Sequence, residues 1–242
     1  MGVGCVVGWR VLLLLVYVQD SLFSFLLPPP FIFIYVSIQS FISIHAATNY
    51  LSAALMHSFD TLDEYLRFPS QQLFEPLGMH SALIETDSQG LFIASSFGWM
   101  TARDWGRLGL LYANDGMWDS RRILPEEWVA LSRTPTPTSG NIYGMHFWLG
   151  GLNATGKNAP LNNRNAECDA IYPERIKNRD VLRKAFPKGT MLMKGFEDQV
   201  VAIHPESQTV VVRLGATKPM VIQWEQEQFY TELYQCLNVR SS

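Results

Sequence analysis

Apolar and polar positions follow one another along this chain in more than one rhythm, and each rhythm predicts its own kind of element. Thr101 can cap a helix whose third position is Asp104; Leu108, Leu110, Leu111 and Tyr112 then supply an apolar face before Asn114 and Gly116 end it. Leu124 and Pro125 predict a second start, with Glu126 and Glu127 at the positive end of the helix dipole ahead of Trp128, Val129 and Leu131. Pro135 and Pro137 forbid its continuation, and a Gly116-Met117-Trp118 turn would join the two helices. Val200 to His204 and Thr209 to Leu214 are β-branched, apolar runs that bracket Pro205-Glu206-Ser207-Gln208. They predict a hairpin, and Val210-Val211-Val212 predicts a central strand covered on both faces. Val221 to Leu237 places Trp224, Gln228, Tyr230, Leu233, Tyr234 and Leu237 at near-helical spacing, a stripe expected to face a core. With helices at Asn49 to His57 and Asp60 to Leu73, the pattern predicts an α+β fold: an antiparallel sheet flanked by helices, plus a helical region.

Two stretches break this pattern. Residues 1–47 are strongly apolar, with Arg10 ahead of the first run and Pro28, Pro29 and Pro30 dividing two pieces, neither as long as the ~20 residues a bilayer helix needs. The prolines argue against one clean transmembrane helix. A signal or membrane anchor, an interfacial hairpin and a translated non-coding stretch of a gene model all remain open, so membrane association or secretion would rest on this segment. Gly2 and Cys5 match dual acylation weakly, since Val6 is not the Ser or Thr of that motif. Residues 150–187 read as an irregular polar loop insert, helical only over Glu174 to Ala185. The basic run Arg175, Lys177, Arg179, Arg183 and Lys184 is expected to be a solvated face, and an Asn153-Ala154-Thr155 sequon would matter only in a secreted domain.

Composition narrows the classes further. The 242 residues are 48% hydrophobic and 12% aromatic, enough to build a core over 48–242. Trp99, Trp105, Trp118, Trp128, Trp148 and Trp224 are expected to be mostly buried in it. A net charge of -3 without a basic patch argues against nucleic acid as a partner. Cys5, Cys168 and Cys236 are scattered, which indicates neither a disulfide framework nor a metal site, and no cofactor is expected.

Specific words add to this. P-L-G-M at Pro76 to Met79, T-A-R-D-W at Thr101 to Trp105, L-Y-x-N-D-G-x-W at Leu111 to Trp118 and R-I-L-P-E-x-W at Arg122 to Trp128 occur in order. Tyr143, Gly144, Phe147 and Trp148 follow as Y-G-x-x-F-W, and Gly195 to Thr217 reads GFEDQVVAIHPESQTVVVRLGAT. Together they resemble the serine β-lactamase-like hydrolases and penicillin-binding proteins, nearest to the 6-aminohexanoate-dimer hydrolase and esterase branch related to class C β-lactamases. The resemblance covers roughly Thr48 to Thr217 plus the last helix, the C-terminal half to two-thirds of such a domain. It implies a small amide or ester substrate, hydrolysed through an acyl-serine intermediate.

The resemblance stops at the chemistry. The family attacks with the serine of S-x-x-K, and a lysine and the tyrosine of Y-x-N move the proton. No serine of this chain has lysine three positions on; Ser81 is followed by Ile84 and Ser120 by Ile123. Where a tyrosine motif is expected stand Ser43, Ile44, His45, Ala46 and Ala47; Tyr35-Val36-Ser37 lies too far upstream, and His45 is either a base or a structural residue. No catalytic residue is assigned. The third motif, K-T-G in relatives, appears at Lys188-Gly189-Thr190 only with its letters reordered. Lys194-Gly195-Phe196-Glu197-Asp198-Gln199 matches G-x-x-G-Q at Gly195 and Gln199 but carries Asp198 at the second glycine, a costly exchange if that position needs a positive φ. Lys194, Gly195, Phe196 and Gln199 are therefore the expected wall of a substrate pocket, with a charged hairpin turn as the plain alternative. Two functions follow: a serine hydrolase whose nucleophile this chain does not supply, or a non-catalytic pseudoenzyme or membrane-associated binding protein.

Overall fold

In the computed structural model the chain is described over residues 44–135, 143–150, 184–215 and 225–239, with side chains from Thr48 onward. Expectations for residues 1–43, for most of the 150–187 insert and for Trp224 lie outside the described residues. The architecture is α+β, with helices and antiparallel strands, and contacts divide the chain into two units. The first takes in the described residues to Glu75 together with Ser81–Trp99; the second holds Pro76–His80 and the residues from Met100 onward. No described helix is long and apolar enough to cross a membrane.

In the first unit, α1 spans Ile44–Met56 and α2 spans Leu62–Pro69. Thr61 caps α2 through a capping box: its hydroxyl accepts from Glu64 N–H while the Glu64 carboxylate accepts from Thr61 N–H. Pro69 lacks the N–H needed to continue an α ladder, and the chain proceeds through a π turn, Ser70–Phe74, closed by Glu75 N–H on Ser70 O at 2.9 Å. Tyr65 is fully buried and ties the unit together. Ser52 Oγ donates to Phe92 O at 2.9 Å, so its 2.9 Å contact with Tyr65 leaves the phenol as donor. Tyr65 OH in turn accepts from Phe92 N–H at 3.1 Å. A two-residue ladder pairs β1, Leu83–Ile84, with β2, Gly98–Trp99.

The second unit begins, apart from the Pro76–His80 segment with buried Leu77 and Met79, at α3, Ala102–Ala113. Thr101 caps it by accepting from Asp104 N–H, as the sequence predicts. The buried face differs from the expectation. Leu111 is buried but Leu110 points outward, and Gly109, Ala113 and an Asp104 held by Arg107 take the inner positions. A miniature hairpin replaces the expected Gly116-Met117-Trp118 turn: β3, Met117–Trp118, pairs with β4, Arg121–Arg122. Asp119 and Ser120 both sit at positive φ, 45° and 62°, which two-residue hairpins favour. Helix α4, Glu126–Ser132, starts after Pro125 and docks on α3, where Trp128 Nε1–H donates to Tyr112 OH at 3.2 Å and Arg133 donates to Tyr112 O at 2.9 Å.

Five antiparallel strands form the sheet in the order β5 (Tyr143–Gly144), β6 (Phe147–Leu149), β7 (Met191–Lys194), β8 (Val200–His204) and β9 (Thr209–Arg213). Alternation along the strands makes two cores. Met191, Val201, Ile203, Val210 and Val212 pack with Ala113, Trp105 and Tyr112 of α3. Leu192, Val200, Ala202 and Val211 pack with Tyr230, Leu233 and Tyr234 of α5, Gln226–Cys236, on the opposite face. Every residue of β8 is buried for that reason. The triple valine of β9 does contact both cores, yet among the described residues β9 pairs only with β8 and is half-buried, and the strand covered on both faces is β8. The core-facing stripe on α5 is Gln226, Tyr230 and Tyr234, whereas Gln228 and Leu237 face outward. None of the five described tryptophans is fully buried, against expectation, and Trp99 is 55% exposed.

Candidate functional site

The predicted pocket-wall residues stand at one end of this sheet. Lys194 pairs with Val200, and Val200 with Arg213, so three adjacent strands contribute one terminal rung. Because Leu192, Val200 and Val211 face α5, the period-two alternation puts Lys194 and Arg213 on that same face. Tyr230 belongs to the same core and is fully buried.

The turn from β7 to β8 gives this end its shape. Gly195 N–H donates to Gln199 O at 2.8 Å, and Phe196–Asp198 forms a single 3-10 turn inside that closure. Glu197 and Asp198 both adopt left-handed backbone, φ 56° and 63°. Asp198 thus occupies the conformation in which glycine would be at ease, the condition that makes its presence in G-x-x-G-Q costly. Gly195, at φ -104°, has no such need. Arg213 Nη1–H donates to Asp198 O at 2.8 Å and fixes the turn from β9. Lys194, Gly195, Phe196 and Gln199 are therefore gathered on one turn, with Phe196 82% exposed.

Electrostatics separate Lys194 and Tyr230, two titratable side chains of this face. Burial lowers the Lys194 amine from the usual lysine range, with the Asp198 charge opposing. Burial raises the Tyr230 phenol to about 12, Arg213 pulling it down and Asp198 pushing it up. Such a phenol stays protonated near neutral pH and is no substitute for the tyrosine base of Y-x-N. The Tyr230 hydroxyl is buried without a hydrogen-bond partner among the described residues.

The other expected positions are scattered. Ser81 lies in a turn and Ser120 in the β3–β4 hairpin, so neither begins a helix. His45 falls within α1, its side chain outside the described set; Tyr35 and Ser43 are outside it altogether. Lys188-Gly189-Thr190 precedes β7 at the far end of the sheet, beside an open depression of about 440 Å³ lined by Asp115, Arg133, His204 and Glu206. His204 is committed there. Nε2–H donates to Lys188 O at 3.1 Å, leaving Nδ1 to accept from Ser207 N–H at 3.3 Å and to sit 2.7 Å from Ser207 Oγ. This serine–histidine contact escaped the sequence reading, although the spacing His204-x-x-Ser207 across a predicted turn could have signalled it. Ser207 Oγ also lies 2.9 Å from Thr209 Oγ1, whose hydroxyl reaches back to Ser207 O, which marks the group as a self-closing hairpin.

No family model matches the chain, and no curated protein is similar to it.

Proposed function

We propose that this chain carries the pocket-wall portion of a β-lactamase-related serine hydrolase scaffold, without the acylating serine, and that its ligands are small amides or esters. The observation that carries the reading is Asp198 at φ 63° in the second-glycine place of G-x-x-G-Q, a left-handed position that glycine would suit. The antiparallel sheet covered by α3 and α5, with the resembling words falling on its helix starts and hairpins, supports it further. The lack of any S-x-x-K favours a binding role over turnover for the chain as it stands.

The test is a titration of isotopically labelled chain with a linear 6-aminohexanoate dimer and with benzylpenicillin, following backbone amides by NMR. Shifts concentrated at Gly195 to Gln199, without hydrolysis, are expected. Shifts confined to the His204 end of the sheet, or no shifts with either ligand, would overturn the reading.

A further inference from the structure

The β1–β2 ladder of the first unit turns large apolar side chains to solvent. Leu83 and Trp99 are directly opposite partners across the two strands, so their side chains share one face of the ladder, where they are 58% and 55% exposed. Phe97, two residues before Trp99, is 50% exposed and sits in left-handed backbone at φ 57°, a conformation that a bulky residue adopts only at a cost. Glu85 joins the group. Trp99 Nε1–H donates to Glu85 Oε1 at 2.6 Å, and Glu85 N–H donates to Phe97 O at 3.1 Å. The apolar face thus carries a carboxylate at its edge.

Charge decides what can cover it. Outside residues 1–43, where Arg10 and Asp20 cancel, the first unit sets Asp60, Asp63, Glu64, Glu75, Glu85 and Asp87 against Arg67 alone, a net charge of -5 in a chain whose total is -3. All six acidic residues are exposed, and among the described residues only Asp63 of the six is ion-paired, with Arg67 at 2.8 Å. Two copies meeting at this face would bring like charges together, and an anionic lipid surface would be repelled. The face calls for apolar anchors surrounded by cations.

From this arrangement we infer that the Leu83–Trp99 face docks a basic amphipathic segment of another protein. The segment's apolar side chains seat on Leu83, Phe97 and Trp99, and its lysines and arginines are drawn by Glu85 and by the negative field of the unit. Trp99 is the expected anchor, since a large aromatic side chain covered at an interface contributes most to its affinity. The inference uses no residue of the proposed pocket wall, so either reading can fail alone.

The experiment measures, by fluorescence anisotropy, the affinity of the full chain for a dye-labelled synthetic amphipathic helix of leucine and lysine, and for the same helix with glutamate in place of lysine. The lysine helix should bind, and bind less tightly as salt is raised. Its affinity should fall at least about tenfold for Trp99→Ala and for Leu83→Ser, each checked for native circular dichroism, and stay unchanged for Leu237→Ser, which alters an exposed leucine of the second unit. Glu85→Gln should reduce both the affinity and its salt dependence. Equal affinity for the folded Trp99 and Leu83 variants, equal binding of the glutamate helix, or no binding of the lysine helix would overturn the inference. So would binding that appears only after residues 1–43 are removed, which would give the face to that segment, or self-association lost in Trp99→Ala, which would give it to a second copy.

Discussion

Gly109 of α3 lies against Val210 of β9 so closely that a Cβ on the glycine would stand 2.6 Å from Val210 Cγ1, with Val201 Cγ1 at 3.2 Å. Alanine is the better helix former by about 1 kcal/mol, but overpacking costs ~1–3 kcal/mol and a valine, stiff at χ1, cannot swing aside. Gly109→Ala should therefore destabilise the second unit by about 1–2 kcal/mol. Gly106, whose Cβ would meet only Val212 Cγ2 at 3.9 Å, is the control. Gly106→Ala should raise stability by up to about 1 kcal/mol. Urea unfolding of both variants decides it; a gain in both would mean that α3 does not seat on the sheet as described.

The left-handed pair Glu197 and Asp198 should respond in a fixed order. Aspartate tolerates positive φ better than glutamate, so Glu197→Gly should stabilise by about 1 kcal/mol and Asp198→Gly by less. A loss of stability in Glu197→Gly would remove the case for a strained turn.

Tyr230 and Tyr234 bury hydroxyls that find no partner among the described residues. Phenylalanine at either position should be neutral or stabilising by about 1 kcal/mol near neutral pH. The alkaline limb gives a second readout. Burial raises both phenols, Tyr230 to about 12, so above pH 10 the unfolded chain releases protons that the folded one retains. Stability should be intact below pH 10 and fall as the pH rises from there, by on the order of 2 kcal/mol for Tyr230 by pH 12. Tyr230→Phe should flatten that fall; an unchanged alkaline profile would contradict the burial.

Neither a β-lactam nor a fluorophosphonate probe should acylate the purified chain, since no serine has a lysine one helical turn away to activate it. Intact-mass spectrometry reads the outcome. Stoichiometric labelling of one serine, abolished by its replacement with alanine, would refute this, and Ser207, 2.7 Å from the His204 ring, is the first position to substitute.

What the sequence made legible is mostly what is decided locally. Thr101 and Pro125 announce the starts of α3 and α4 because a cap acts within three residues, and Pro205 to Gln208 marks its hairpin by turn chemistry. Strand order is not local. The valines of β9 could not reveal that, among the described residues, β8 takes the fully covered place between two partners. Met145 and His146 close the β5–β6 hairpin at φ 42° and 66° without a glycine or asparagine to advertise it. At the candidate site, Lys194 to Gln199 was readable as a motif. Its rung with Arg213, and the buried phenol of Tyr230 on the same face, depend on strand pairing and packing that no window of residues encodes.

In the first unit, the phenol of Tyr65 accepts the amide proton of Phe92, 27 residues away, and donates to Ser52, which itself reaches the Phe92 carbonyl. The backbone of one residue of the 81–99 segment is thereby clasped at both its N–H and its C=O by side chains from two helices. That amide is a built-in clock for the segment: it can exchange with deuterium only when the clasp opens, so its exchange rate times the detachment of Phe92 from α1 and α2 independently of global unfolding.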